Sequence, residues 1–166
     1  GSVLFPGSSN SYFTTTNSTL TGANWTSGFT IEAYVNYKSF TNASRDDLTY
    51  PVPGLIGRMH PNTTSADWAF GATSAGRLAF YYNNGASQGL VGNITLSTNR
   101  WYHIAFTYTA STLRLYVDGN LDTSTAISGT PATGLGWFTM GAYNNSSTTA
   151  YAAPSVLVAG MRVTSG

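Results

Sequence analysis

Leu113-Arg114-Leu115-Tyr116-Val117-Asp118-Gly119 alternates apolar with polar side chains and then offers a turn. Successive strand residues point to opposite faces, so Leu113, Leu115 and Val117 share one face while Arg114 and Tyr116 share the other. Asp-Gly between two β-rich runs is a strong local hairpin signal. Phe29-Thr30-Ile31-Glu32-Ala33-Tyr34-Val35 repeats the alternation. It sets Phe29, Ile31, Ala33 and Val35 against Glu32 and Tyr34. Two antiparallel sheets bury the apolar sets between them and leave the polar and amphipathic sets on outer faces.

Outward from these runs, the same texture covers the chain. β-rich segments lie at 55–59, 67–70, 77–82, 101–109, 137–142 and 155–163, with weaker ones at 3–5, 12–15, 89–94 and 121–126. Gly, Asn, Ser and Pro punctuate them, and Asn83-Asn84-Gly85 reads as a second turn. No apolar stripe at helical spacing is sustained over three turns. The longest segment without pattern is 39–53, which holds Asp46-Asp47 and the prolines Pro51 and Pro53. Loops of that length in a compact domain are commonly functional. No repeat of 20–50 residues and no linker divides the chain, so 1–166 reads as one all-β domain. Gly1-Ser2 reads as a cloning remnant, and the chain as a module cut from a longer protein.

Only 8% of the 166 residues are charged, and the net charge is +1. Nucleic acids and acidic membranes are captured by clustered Lys and Arg, which this chain lacks. No stretch approaches the ~18 apolar residues of a membrane helix, so neither nucleic acid nor membrane insertion is expected. The absence of cysteine excludes disulfides and thiolate zinc sites. Ser, Thr, Asn and Gly carry the surface instead, which suits a protein that works outside the cell.

Three segments carry a family likeness. The first is Val3-Leu4-Phe5-Pro6-Gly7-Ser8 followed by Tyr12-Phe13, and the second is the strand at 29–35. The third and most specific is Asn99-Arg100-Trp101-Tyr102-His103-Ile104-Ala105 with the Leu113–Gly119 hairpin. Together they resemble the laminin-G-like branch of the concanavalin A-like lectin and glucanase superfamily, and the closing run at 158–166 looks like the last strand of viral and phage copies. The resemblance implies a jelly-roll sandwich of two curved antiparallel sheets. Most matching residues are framework, so it does not assign a ligand. Trp101 is expected to fill the core or the sheet rim, His103 to be a structural histidine, and Asp118 and Asp122 to serve the hairpin turn.

Glycosidases of this fold need two carboxylates facing a bound sugar, about 5–5.5 Å apart in retaining enzymes. Glu32, the only Glu, has no acidic neighbour at i±2. There is no Gly-x-Ser-x-Gly elbow, and His60 and His103 lack metal-ligand spacing. No catalytic residue is assigned, and the chain is read as a non-enzyme. Relatives of the fold hold Ca²⁺ at a loop edge, so calcium is considered, with Asp46 and Asp47 as the candidate ligands and Asp67 a weaker one.

Sugar binding by a β-sandwich uses aromatic rings on the apolar sugar face and planar polar groups on the hydroxyls. The candidates in or beside loops are Arg58, His60, Trp68, Tyr82, Asn83, Tyr143, Asn144, Asn145 and Tyr151, with 143–151 the preferred region. Trp68 and Tyr82 have packing as their plain alternative, and the Asn residues have turn formation. The function expected is a non-catalytic recognition module that binds a cell-surface glycan or glycoprotein in attachment. The alternative is a structural or decoration domain of a capsid or fibre, making protein contacts, with homo-oligomers through a parent protein.

Overall fold

The computed structural model describes residues 1–8, 11–15, 28–59, 66–109, 111–127, 129, 137–146 and 149–165. Its strands in chain order are β1 (Val3–Pro6), β2 (Phe13–Thr15), β3 (Phe29–Ser39), β4 (Ser44–Arg45), β5 (Val52–Pro53), β6 (Ile56–Met59), β7 (Ala66–Ala72) and β8 (Arg77–Asn83). They continue as β9 (Ser87–Thr95), β10 (Tyr102–Thr109), β11 (Thr112–Val117), β12 (Asn120–Ala126), β13 (Trp137–Met140), β14 (Tyr143–Ser146), β15 (Thr149–Ala152) and β16 (Ser155–Ser165). Two six-stranded antiparallel sheets result, ordered β1-β16-β3-β10-β11-β12 and β2-β13-β6-β7-β8-β9. The fold is all-β, a concanavalin A-like jelly-roll sandwich.

The alternating runs meet as their patterns require. Phe29, Ile31, Ala33 and Val35 of β3, with Leu113, Leu115 and Val117 of β11, lie in one buried core with Ile56, Trp68, Phe70, Leu78 and Phe80 of the second sheet. Phe80 and Phe106 stack at 3.7 Å between ring centroids, joining the two sheets at the centre. The Tyr37 hydroxyl accepts a bond from the Ala72 amide across the sandwich at 3.0 Å. Burial there pushes its phenol well above the ordinary tyrosine range. At the β11–β12 hairpin, Asp118 and Gly119 both take positive φ, 50° and 79°. Two left-handed residues define the turn whose twist matches the flanking strands, which is why Asp-Gly stands there.

The two sides of the sandwich differ. On one, the edge strands β12 and β9 are tied: Asp122 Oδ1 accepts the Asn93 and Ile94 amides at 2.8 and 3.0 Å. Asp122 therefore joins the sheets rather than serving the turn. On the other, β1 and β2 leave an apolar cleft of about 390 Å³ lined by Val3, Leu4, Phe5, Tyr12, Phe13 and Met140, among others.

The patternless segment 39–53 contains the short β4–β5 ladder, and 143–151, expected as a loop, is the β14–β15 hairpin. Both cover the outer face of the second sheet. Val52, Ala69, Tyr81, Tyr143 and Ala152 form a second apolar cluster there, with Leu48 and Tyr50 packed against it.

Candidate functional site

Arg58, Trp68 and Tyr82 fall in one register row of the second sheet, Arg58 opposite Trp68 and Trp68 opposite Tyr82. That row faces inward. Trp68 is 1% exposed, with its ring against Phe29 and Phe80, and Tyr82 is buried in the same core. Arg58 is mostly buried and its Nε lies 3.2 Å from the buried Asp67 carboxylate. A register shift between Arg58 and Met59 leaves Asp67 without a partner in the ladder. These side chains are a core row closed by an ion pair and present no ring face to a ligand, which corrects their placement in a binding surface.

Tyr143 is also buried, again contrary to expectation. Asn83 serves its turn, its Oδ1 accepting the Gly85 amide at 2.8 Å. Asn144 and Asn145 lie on β14 and Tyr151 on β15, where the description extends to the backbone alone. His60 lies outside the described residues.

The two acids proposed for calcium are engaged separately. Arg45 grips Asp47 with two bonds, Nε to Oδ1 at 2.5 Å and Nη2 to Oδ2 at 2.9 Å, and the Ser44 hydroxyl donates to Asp46 Oδ1 at 2.5 Å. The Arg45 guanidinium holds the Asp47 carboxyl below the usual carboxylate range, and Arg45 also bonds to Tyr143. Calcium takes six to eight oxygen ligands. A guanidinium occupying both oxygens of one acid does not fit that need, and no group of three acidic, His or Cys side chains gathers among the described residues. The loop is braced to the β14–β15 hairpin by this chain of bonds, so 44–47 and 143–152, separate in sequence, form one cover.

Among the described residues, the first sheet has no such cover. Its outer face is set by register: Tyr34 opposite His103 and Ala159, Glu32 opposite Ala105 and Arg162, and Thr30 opposite Thr107 and Thr164. The next strand adds Tyr116 opposite Ala105 and Arg114 opposite Thr107. Trp101 directly precedes β10, whose first residue Tyr102 pairs with Val35. Tyr34 is 53% exposed and Trp101 44% exposed. Trp101 therefore does not fill the core, contrary to expectation.

Charge on this face is organised around Glu32. Arg162 Nε donates to Glu32 Oε1 at 2.6 Å, its Nη2 also pairs with that oxygen, and His103 Nε2 lies 3.4 Å from Oε2. The His103 ring packs on Tyr34 at 5.0 Å between centroids. His103 thus has an acidic partner that sequence proximity did not reveal. Arg162 reaches this face through a bulge: two steps on β3, from Tyr34 to Glu32, oppose three on β16, from Ala159 to Arg162. Gly160, at φ 56°, supplies the left-handed residue within it. Strict alternation from Ala159 would have turned Arg162 inward. Asp118 borders the same face, with Oδ1 on the His103 amide at 2.9 Å and Oδ2 3.7 Å from Arg100.

The signal for this site was present in the alternation: Glu32, Tyr34 and Tyr116 stood on faces the core does not require. The missing information was which outer face the loops would cover.

Two six-stranded antiparallel sheets packed face to face, one of them covered on its outer side by the 39–53 segment and the β14–β15 hairpin, define a concanavalin A-like sandwich. The chain belongs to the concanavalin A-like lectin/glucanases superfamily, matching its laminin G domain family over residues 7–156. The CBM40 of the Ruminococcus gnavus IT-sialidase, bound to α2,3-sialyllactose, superposes with a TM-score of 0.75 at 13% identity, over 98% of this chain and 88% of that one. A putative carbohydrate binding protein from Bacteroides ovatus gives 0.59 at 21% identity, over 82% of this chain and 37% of that one. Domains LG4-5 of the mouse laminin α1 chain give 0.60 at 16% identity, over 83% and 36%. At these identities the likeness concerns the fold. No curated protein sequence matches the chain.

Proposed function

We propose that this domain is a non-catalytic carbohydrate-binding module whose ligand lies on the open outer face of the first sheet. One observation carries the reading: Tyr34 on β3 and Trp101, the residue before β10, are both exposed, and Tyr34 packs on His103 of the Glu32–His103–Arg162 cluster. Aromatic faces stack on the apolar side of a pyranose, while carboxylate, guanidinium and imidazole groups bond its hydroxyls. The carbohydrate-binding modules among its structural relatives support the same reading. Hydrolysis is disfavoured, because Glu32 meets no second free carboxylate on its own or the neighbouring rows, and Asp118 is engaged by the His103 amide. Display on a cell or virion surface, with attachment to a glycan or glycoprotein, belongs to the same proposal.

The experiment is a glycan array with wild type, Tyr34→Ala and Trp101→Ala. Saturable binding by wild type and a loss of at least about tenfold in either variant, worth ~1.4 kcal/mol, is expected. Full binding by both variants would remove this face from the site.

The second reading, a structural or decoration domain making protein contacts, draws on the apolar β1–β2 cleft, where Val3, Leu4 and Phe13 are each more than half exposed. A blank array together with concentration-dependent self-association in sedimentation would favour it.

A further inference from the structure

Positive charge on the open face is not fully compensated. Lys38, Arg100, Arg114 and Arg162 lie on or beside it, against the carboxylates of Glu32 and Asp118. Both carboxylates are taken up, Glu32 by Arg162 and His103, and Asp118 by Arg100 and the His103 amide. Arg114 is not neutralised. Among the described residues no carboxylate lies within ion-pairing distance of it, and its Nη1 donates to the Thr109 hydroxyl at 3.0 Å.

The register row of Arg114 consists of hydroxyl side chains. Across the sheet it reads Thr164, Thr30, Thr107, Arg114, Ser124. Cross-strand partners share a face, and this face is opposite the one on which Ile31, Phe106, Leu113 and Leu115 enter the core. Thr164 and Ser124 are exposed, and Thr30 and Thr107 are half-buried. None of these four hydroxyls has a protein partner among the described residues. A guanidinium is a planar fork of N–H donors shaped for a carboxylate or sulfate-like oxyanion, and a hydroxyl beside it donates to the same group. A neutral sugar would meet the hydroxyls and leave the charge uncompensated, whereas an anionic substituent meets both.

This row is far from the exposed Tyr34 ring. Tyr34 lies four residues along β3 from Thr30, and β3 is two strands from β11. Strand rise and spacing put the Tyr34 and Arg114 backbones roughly 16 Å apart. The bond to Thr109, beyond Thr107 on β10, draws Arg114 further away from Tyr34. One sugar unit does not span that distance. We infer that the open face takes an acidic polysaccharide, with a carboxylate or sulfate of one unit held by Arg114 and its hydroxyl row while another unit stacks on Tyr34. The inference rests on the carbohydrate reading above and narrows it to a charged chain longer than one sugar.

The test is titration calorimetry with two matched pairs, tetragalacturonate against its methyl ester and dextran sulfate against dextran, and with galacturonic acid alone. The proteins are wild type, Arg114→Gln, Arg114→Lys and, as a control for net charge, Arg77→Gln on the second sheet. Melting temperatures confirm that each is folded. Wild type should prefer the acidic member of at least one pair by about tenfold or more, and the pair that shows the preference tells carboxylate from sulfate. Arg114→Gln should bring that member to within about twofold of its neutral counterpart, while Arg114→Lys and Arg77→Gln retain most of the preference. If tetragalacturonate is the bound acid, galacturonic acid should bind at least about tenfold more weakly. Equal affinity for acidic and neutral chains, equal losses in Arg114→Gln and Arg77→Gln, or a monomer as tight as the tetramer would overturn the inference. If neither acidic chain binds while the glycan array gives a hit that depends on Tyr34, the acidic-chain inference falls and the carbohydrate reading stands. A blank on both would bring down the two together.

Discussion

Trp68 and Trp101 carry the same indole to opposite ends of the solvent scale. Trp68 is packed between Phe29 and Phe80 in the core, whereas Trp101 stands 44% exposed beside the open face. Truncating a buried aromatic removes its transfer free energy and leaves a cavity, so Trp68→Ala should cost about 3–5 kcal/mol. Trp101→Ala should stay within about 1 kcal/mol, since surface substitutions seldom cost more. Chemical denaturation of both variants checks the contrast. A large loss for Trp101→Ala would return that ring to a structural role. The strand alternation at 29–35 and 113–117 was legible residue by residue, since both faces repeat with period two. Trp101 was not, because a single aromatic at the start of a strand belongs to either face until the register is known.

At the scale of elements, the sandwich is tied along one side and open along the other. The β9–β12 side is held by one Asp122 carboxylate oxygen accepting two backbone amides, with the Asn93 side-chain amide donating to the Asp122 carbonyl at 3.3 Å. Hydrogen bonds to a charged group contribute about 1.5–3 kcal/mol each when well shielded, and less at an exposed edge. We expect Asp122→Ala to lower stability by about 1–3 kcal/mol and Asp122→Asn, which keeps an acceptor, by less. Amide hydrogen exchange should show the protection of Asn93 and Ile94 falling in the Ala variant and the central strands unchanged. Unaltered exchange at those two amides would mean that the edges are held by other contacts. Sequence placed Asp122 at the turn because it lies three residues after Gly119. Its partners are on β9, nearly thirty positions away, and no local pattern records a pairing of that range.

For the whole molecule, the arrangement of covers decides where a ligand can bind. The 39–53 segment and the β14–β15 hairpin, each a candidate for recognition, close over the second sheet and satisfy one another through Arg45, Asp47 and Tyr143. Glycan binding should therefore be unaffected by a chelator, within twofold, in a side-by-side titration with calcium and without. Loss of binding in chelator would require the Arg45–Asp47 bonds to open around a metal. The open face of the first sheet is left as the surface where aromatic, acidic and basic groups meet solvent together.

The sequence alone determined the strand content, the inward faces of β3 and β11, the Asp118-Gly119 turn and the family. All of these follow from neighbour-to-neighbour rules: a period of two, a need for φ > 0 and a motif of fixed spacing. Tertiary structure alone decided which candidate side chains are buried and which are presented. Arg162 faces Glu32 only because the bulge at Gly160 shifts the β16 register by one residue, and a one-residue shift turns every following side chain to the other face. Trp68, Tyr82 and Tyr143 were drawn into packed interiors, while Tyr34 and His103 were set against each other by two strands whose meeting depends on long-range pairing.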